Sequence, residues 1–315
     1  MDKYQFTKRV LFIGVPDMAY MGLDMLLYSG VNIVGVVGPV KTHNTYVQFR
    51  NYVKYKKLNF IEYETLSSPE FIETINALKP DIAVVCSFNQ KFPKELIDAV
   101  PDGIINIHPS LLPKYRGGNP YSWVIINGEK QTGVTLHFIS ENFDEGDIIA
   151  QEIYEIAPNE TMGTIFNRTN MIGCRMLLKA LLEYDKTGLL PRKQQPAGEF
   201  IKAPNIKDNE MFLNYNKPAE ELVRLVRGLN PYFSAMTIYK GQIMKIHKAS
   251  ACELQDANSF ANGEVCKVEN DKFYIKTERG CLCPEVIQYS GYFIGDASDF
   301  VNVANPQLGD KFTYG

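Results

Sequence analysis

Short apolar segments alternate with helical-period segments up to Gly188, and beyond it short strand-like runs are separated by glycines and an Asn-Asp turn. These observations predict an α/β protein, with a mostly parallel, doubly wound sheet followed by a smaller β-barrel. The length of 315 residues fits two domains better than one. The expected boundaries are a first domain at 1–188, a linker at 189–204 and a second domain at 205–315.

The first domain opens with an apolar strand, Val10–Gly14, a helix at Met18–Tyr28 and a second strand at Val31–Val37. The turn between strand and helix, Gly14-Val-Pro-Asp-Met18, lacks the three-glycine dinucleotide fingerprint, which disfavours NAD. Tyr46–Lys57 reads as a helix and Phe60–Tyr63 as a short strand. Ser68-Pro69 is placed to cap a helix over Glu70–Leu78, because a serine side chain can accept from the first turn and proline is preset for it. Strands follow at Asp81–Cys86, Ile104–His108, Gly133–Ile139 and Ile148–Ile156, with helices at Pro93–Ala99, Pro120–Ile126 and Thr161–Tyr184. Tyr121 and Trp123 are expected to pack in the core. The segment after Gly188, rich in Pro, Gln and Gly, reads as a crossing between domains. A helix at Pro218–Arg227 then leads into short strands at Ala235–Tyr239, Met244–Lys248, Gly263–Glu269, Lys272–Thr277 and Glu285–Tyr289.

The formal charge is −3, which disfavours a chain built to grip nucleic acid. No apolar run reaches the roughly 18 residues of a membrane span, and the N-terminus lacks a small-residue cleavage site. A cytoplasmic location without membrane association is the expectation. Six scattered cysteines and four histidines form no linear ligand pattern; Cys281-Leu-Cys283 has no second cluster near it. Reduced thiols and no bound metal are expected.

The richest stretch runs from Asn106 to Asp147. Side chains on a strand alternate between faces, so Asn106 and His108 point the same way at the carboxyl end of the Ile104–His108 strand, where open α/β sheets bind ligands. An acid on a later loop could join them. Asp144, Glu145 and Asp147 compete for that role, and Gly146 among them would equally suit a plain turn.

With these residues in view, the chain resembles the formyltransferases that use 10-formyltetrahydrofolate. The resemblance rests on Asn106-x-His108, Ser110-Leu-Leu-Pro113-x-Tyr-Arg116-Gly117, Asn127-Gly128, Thr132-Gly133-Val-Thr135 and Asp144-x-Gly146-Asp147, and covers residues 8–190 well. Pro218–Pro231 resembles the start of the family's C-terminal barrel, and Asp299-Phe300 with Gly309–Phe312 its end. The resemblance implies a Rossmann-like first domain, an OB-like barrel and 10-formyltetrahydrofolate as co-substrate. It selects Asp144 from the three acids and makes Asn106, His108 and Asp144 the catalytic set. It further implies that Asn89, Gln90, Lys91 and Phe92, with Ser140, Glu141, Asn142 and Phe143, bind the pterin through two loops. Ser110, Leu111, Leu112 and Pro113 become a wall of the folate and formyl site, with Arg116 anchoring the loop.

Three features bear on the acceptor. Residues 38–50 lack the basic, Pro- and Gly-rich insertion usual in methionyl-tRNA formyltransferases. The segment Arg116-Gly-Gly-Asn-Pro120 departs from their Arg-Gly-Ala-Ala-Pro. From residue 205 onward there are 12 Lys/Arg against 14 Asp/Glu, a poor platform for RNA phosphates. The expected acceptor is therefore the amine of an amino-sugar nucleotide, with no nucleic-acid partner. The alternatives are a methionyl-tRNA formyltransferase and a 10-formyltetrahydrofolate hydrolase. The sequence leaves room for a homodimer.

Overall fold

The computed structural model describes residues 6–314 except 17, 42, 89 and 290–292. The chain divides into two compact units. The first comprises residues up to 118, 133–154 and 167–203; the second comprises 119–132, 155–166 and 204 onward. Two short segments thus leave the sequence of the first unit to fold with the second.

In chain order the first sheet is built from β1 (Val10–Gly14), α1 (Met18–Tyr28), β2 (Ile33–Pro39), α2 (Asn44–Tyr55), β3 (Phe60–Tyr63), α3 (Pro69–Leu78), β4 (Ile82–Cys86), α4 (Lys94–Asp98) and β5 (Ile104–His108). Then come α5 (Pro120–Ile126), β6 (Gln131–Phe138), β7 (Ile148–Glu155) and α6 (Met162–Thr187). The strand order is β3-β2-β1-β4-β5-β6-β7. Pairing is parallel from β3 through β5 and turns antiparallel at β5–β6. The sequence expectation of a mostly parallel, doubly wound sheet holds.

The reason is visible in β1. Val10 and Phe12 enter one apolar cluster with α1 and α6, while Leu11 and Ile13 enter the other with α3 and α4. A strand buried on both faces must be apolar at every position rather than alternately, and β1 and β4 are. Ser68 caps α3 as its position suggested, its hydroxyl accepting from Phe71 N.

The second unit holds α7 (Ala219–Leu229), β8 (Ala235–Tyr239), β9 (Gln242–Cys252), β10 (Val265–Glu269), β11 (Lys272–Lys276), β12 (Cys281–Tyr289), β13 (Phe293–Asp296), α8 (Ala297–Ala304) and β14 (Phe312–Thr313). Its sheet runs β10-β11-β12-β9-β8-β14, with β13 on β12. The two ends meet: Phe312 N donates to Gly263 O at 2.8 Å and Val265 N to Asp310 O at 2.9 Å. That closure makes the small barrel. Tyr239, Phe273, Phe300 and Phe312 fill it. The strands β9 and β12 are longer than their sequence pattern suggested, and β13, α8 and β14 were not anticipated. Trp123 is only partly buried, its indole N–H donating to Pro204 O at 2.8 Å. All six cysteines are free.

Candidate active site

Strand β5 presents Asn106 and His108 as expected, and its antiparallel neighbour β6 completes the face. The register places His137 opposite Asn106 and Thr135 opposite His108. Directly opposed residues share a face, so a second imidazole joins the first two groups. His137 was counted in the sequence among the histidines without a linear ligand pattern and given no place in the site, although Thr135-Leu-His137 carries the same period-two signal as Asn106-Ile-His108.

Backbone carbonyls fix both rings. His108 Nε2 lies 2.9 Å from Tyr115 O, and a carbonyl can only accept, so that nitrogen carries the hydrogen. His137 Nδ1 lies 2.8 Å from Phe138 O and is protonated for the same reason. In the neutral rings this leaves lone pairs on His108 Nδ1 and His137 Nε2. The latter accepts from Asn106 Nδ2 at 3.0 Å. Burial, and then the neighbouring His108, hold the His137 imidazolium well below the usual histidine range, against the opposing pull of Asp144.

Asp144 arrives from the loop between β6 and β7. Its Oδ1 faces His108 Nδ1 at 3.5 Å and His137 Nε2 at 3.7 Å. Its Oδ2 accepts from Gly117 N at 2.9 Å. The residue sits at φ +56, a conformation that aspartate tolerates better than most side chains. The loop closes tightly: a Cβ on Gly146 would lie 1.8 Å from Phe138 O. Gln195 locks the loop from behind, its Nε2 donating at 2.8 Å to both Asp144 O and Gly146 O. Arg116 joins this lock through Gln195 Oε1 at 2.6 Å and Glu145 Oε1 at 3.0 Å. Gln195 lies in an aperiodic stretch 51 residues from Asp144, so no sequence signal pointed to it.

The residues expected at the pterin divide into two groups. Gln90, Lys91, Phe92, Ser140, Asn142 and Phe143 line one cavity with Asn106 and Asp144. Glu141 does not line it, and Asn89 lies outside the described residues. The cavity holds only about 40 Å³, space for little more than a water. Ser110, Leu111, Leu112 and Pro113 do not line it either. Ser110 donates to Lys114 O at 2.7 Å, and Leu112 N donates to Thr135 Oγ1 at 3.1 Å. Pro113 borders a separate cleft of about 410 Å³ with Arg116, Glu145 and residues 198–202.

A partly buried carboxylate flanked by two tautomer-fixed imidazoles and a carboxamide can hold and pass a proton, and can donate to a carbonyl oxygen gaining charge. Residues 9–181 match the family described as "Formyl transferase", and residues 205–305 its C-terminal domain. The methionyl-tRNA formyltransferase of Alkaliphilus oremlandii is 34% identical over 313 residues, covering 94% of this chain and 99% of its own length. The chain belongs to the formyl transferase family. That of Clostridioides difficile is 35% identical over 286 residues, 89% of this chain and 92% of the relative. A solved N-formyltransferase from Helicobacter canadensis, in complex with folinic acid and dTDP-3-aminofucose, superposes with a TM-score of 0.68 at 19% identity, covering 90% of this chain and all of that one. At that identity the likeness speaks for the fold. This formyl transferase is thus an enzyme that moves a formyl group. No helix among its described residues is long and apolar enough to cross a membrane.

Proposed function

We propose that this formyl transferase passes the formyl group of 10-formyltetrahydrofolate to the α-amino group of methionyl-tRNA. The carrying observation is the end-to-end match, at 34% identity, to a relative of that name. The sugar-directed enzyme with the similar fold stands at 19%. This reading moves the acceptor from the amino-sugar nucleotide expected from the sequence to the alternative weighed beside it.

The second unit supplies a physical reason. Although it carries a slight acidic excess, its charge is unevenly placed. A cavity of about 760 Å³ wholly within this unit gathers Lys130, Arg224, Arg227, His247 and Lys248 against only Glu129 and Glu220. Arg227 Nε and His247 Nε2 are buried there without a hydrogen-bond partner. Polyanions are recognised by local clusters of such donors, so net charge alone was a poor guide.

In the chemical step the amine attacks the formyl carbon, giving a tetrahedral intermediate. Asn106 offers its second amide hydrogen to the developing oxyanion. Asp144 takes the proton lost by the amine. His108, its Nε2–H tied to Tyr115 O, takes that proton from Asp144 Oδ1 onto its Nδ1 lone pair and delivers it to the departing N10, so the site ends as it began. His137 holds the Asn106 amide in position. Gln90–Phe92 and Ser140–Phe143 bind the pterin, which requires these two loops to part beyond the 40 Å³ seen here.

The amino-sugar nucleotide remains a second reading, favoured by one feature, the absence of a basic insertion in residues 38–50. Comparing kcat/KM for methionyl-tRNA with that for UDP-, dTDP-, GDP- and CMP-linked amino sugars separates the two. Preference for any sugar nucleotide by tenfold or more would overturn the tRNA reading.

A further inference from the structure

We propose that His108, His137 and Asp144 form a binding site for a divalent transition-metal ion, zinc above all, whose occupancy blocks formyl transfer. Linear spacing gave no hint of it, because the fold assembles the three donors from two adjacent strands and a loop.

The geometry is close to that of a zinc site. The donor atoms all lie within 4.8 Å of one another, and Asp144 Oδ1 is 3.5 Å and 3.7 Å from the two ring nitrogens. A point equidistant from all three is therefore at most about 2.4 Å from each, where zinc bonds to nitrogen and oxygen are about 2.0–2.2 Å. A contraction of a few tenths of an ångström completes the set.

The electronics fit as well. A metal needs nitrogen lone pairs, and each ring already has its other nitrogen committed as a donor to a backbone carbonyl, Tyr115 O or Phe138 O. This is the outer-shell arrangement that fixes metal-binding histidines. The Asp144 carboxylate offsets one of the two charges brought by the ion, and its other oxygen stays anchored to Gly117 N. Only the bond from Asn106 Nδ2 to His137 must yield. Three protein ligands leave the fourth position of a tetrahedral ion open.

The blocking effect rests on the formyl-transfer reading, since a bound ion would take the lone pairs and carboxylate oxygen that move protons. The binding itself does not depend on that reading. Zinc titrated calorimetrically into the tag-free full chain, without folate or acceptor, is expected to bind at one ion per chain. Cobalt in its place should develop the visible absorption of a four-coordinate ion. Asp144→Asn and His137→Gln should each weaken binding by more than about 100-fold. The Asn variant is isosteric, so it serves if the buried His137 variant does not fold. No saturable binding, or unchanged affinity in a folded Asp144→Asn variant, overturns the site. Zinc should also abolish formyl transfer, with recovery on chelation; full activity of the zinc-saturated enzyme would overturn the blocking role.

Discussion

Replacing Asp144 with asparagine changes one atom and reverses the polarity of the site. The carboxylate uses Oδ2 to accept from Gly117 N at 2.9 Å and turns Oδ1 toward His108 and His137. Asparagine keeps the first bond by placing its oxygen toward Gly117. Its NH₂ group then faces two nitrogen lone pairs. It can donate to them, which the carboxylate could not, and can no longer take a proton from an attacking amine. Positioned acid–base catalysis contributes about 10²–10⁴ in rate, which corresponds to about 2.7–5.4 kcal/mol of barrier. The lost charge is partly solvated and the loop bond survives, so folding stability should fall by less than about 1 kcal/mol. The assay is single-turnover formyl transfer at saturating donor, beside a thermal melt. A rate within threefold of the parent enzyme, in a folded protein, would refute the role given to Asp144.

Further outcomes follow from the same geometry. Gln195→Ala removes the donors to Asp144 O and Gly146 O and the acceptor for Arg116; it should cost about 2–3 kcal/mol in denaturant unfolding and lower kcat more than it raises KM for folate. Gly146→Ala would force a Cβ to within 1.8 Å of Phe138 O, so the Asp144 loop must move, with a loss of about 1–3 kcal/mol and of most activity. The double variant Lys130→Gln, Lys248→Gln should raise KM for methionyl-tRNA while leaving KM for folate unchanged. The slope of its log affinity against log salt should be shallower by about 1.5; an unchanged slope would remove the cavity from RNA recognition.

What the sequence made legible was what repeats with a fixed period. Strands buried on both faces announce themselves as continuous apolar runs, and the two-residue spacing of Asn106 and His108 places both on one face. Ser68-Pro69 marked a helix start because capping chemistry is local. His137 obeyed the same strand rule and could have been found by pairing β6 against β5. Gln195 could not, since its contacts cross 51 residues to Asp144 from a segment without periodicity. The basic cavity of the second unit was hidden for a related reason: its cations come from three separated segments, and only the fold sums them. Strand β14, two residues long, carries no detectable pattern, and its place is set by the barrel closing on it.

The central claim is that this site hands a formyl group from folate to an amino acid on tRNA. Supplying 10-formyltetrahydrofolate labelled with ¹³C in the formyl carbon, with methionyl-tRNA, and then deacylating the RNA for mass spectrometry tests it directly. The label is expected in N-formylmethionine, in proportion to folate consumed. Label recovered as free formate at the same rate with or without acceptor would contradict the account and point to hydrolysis.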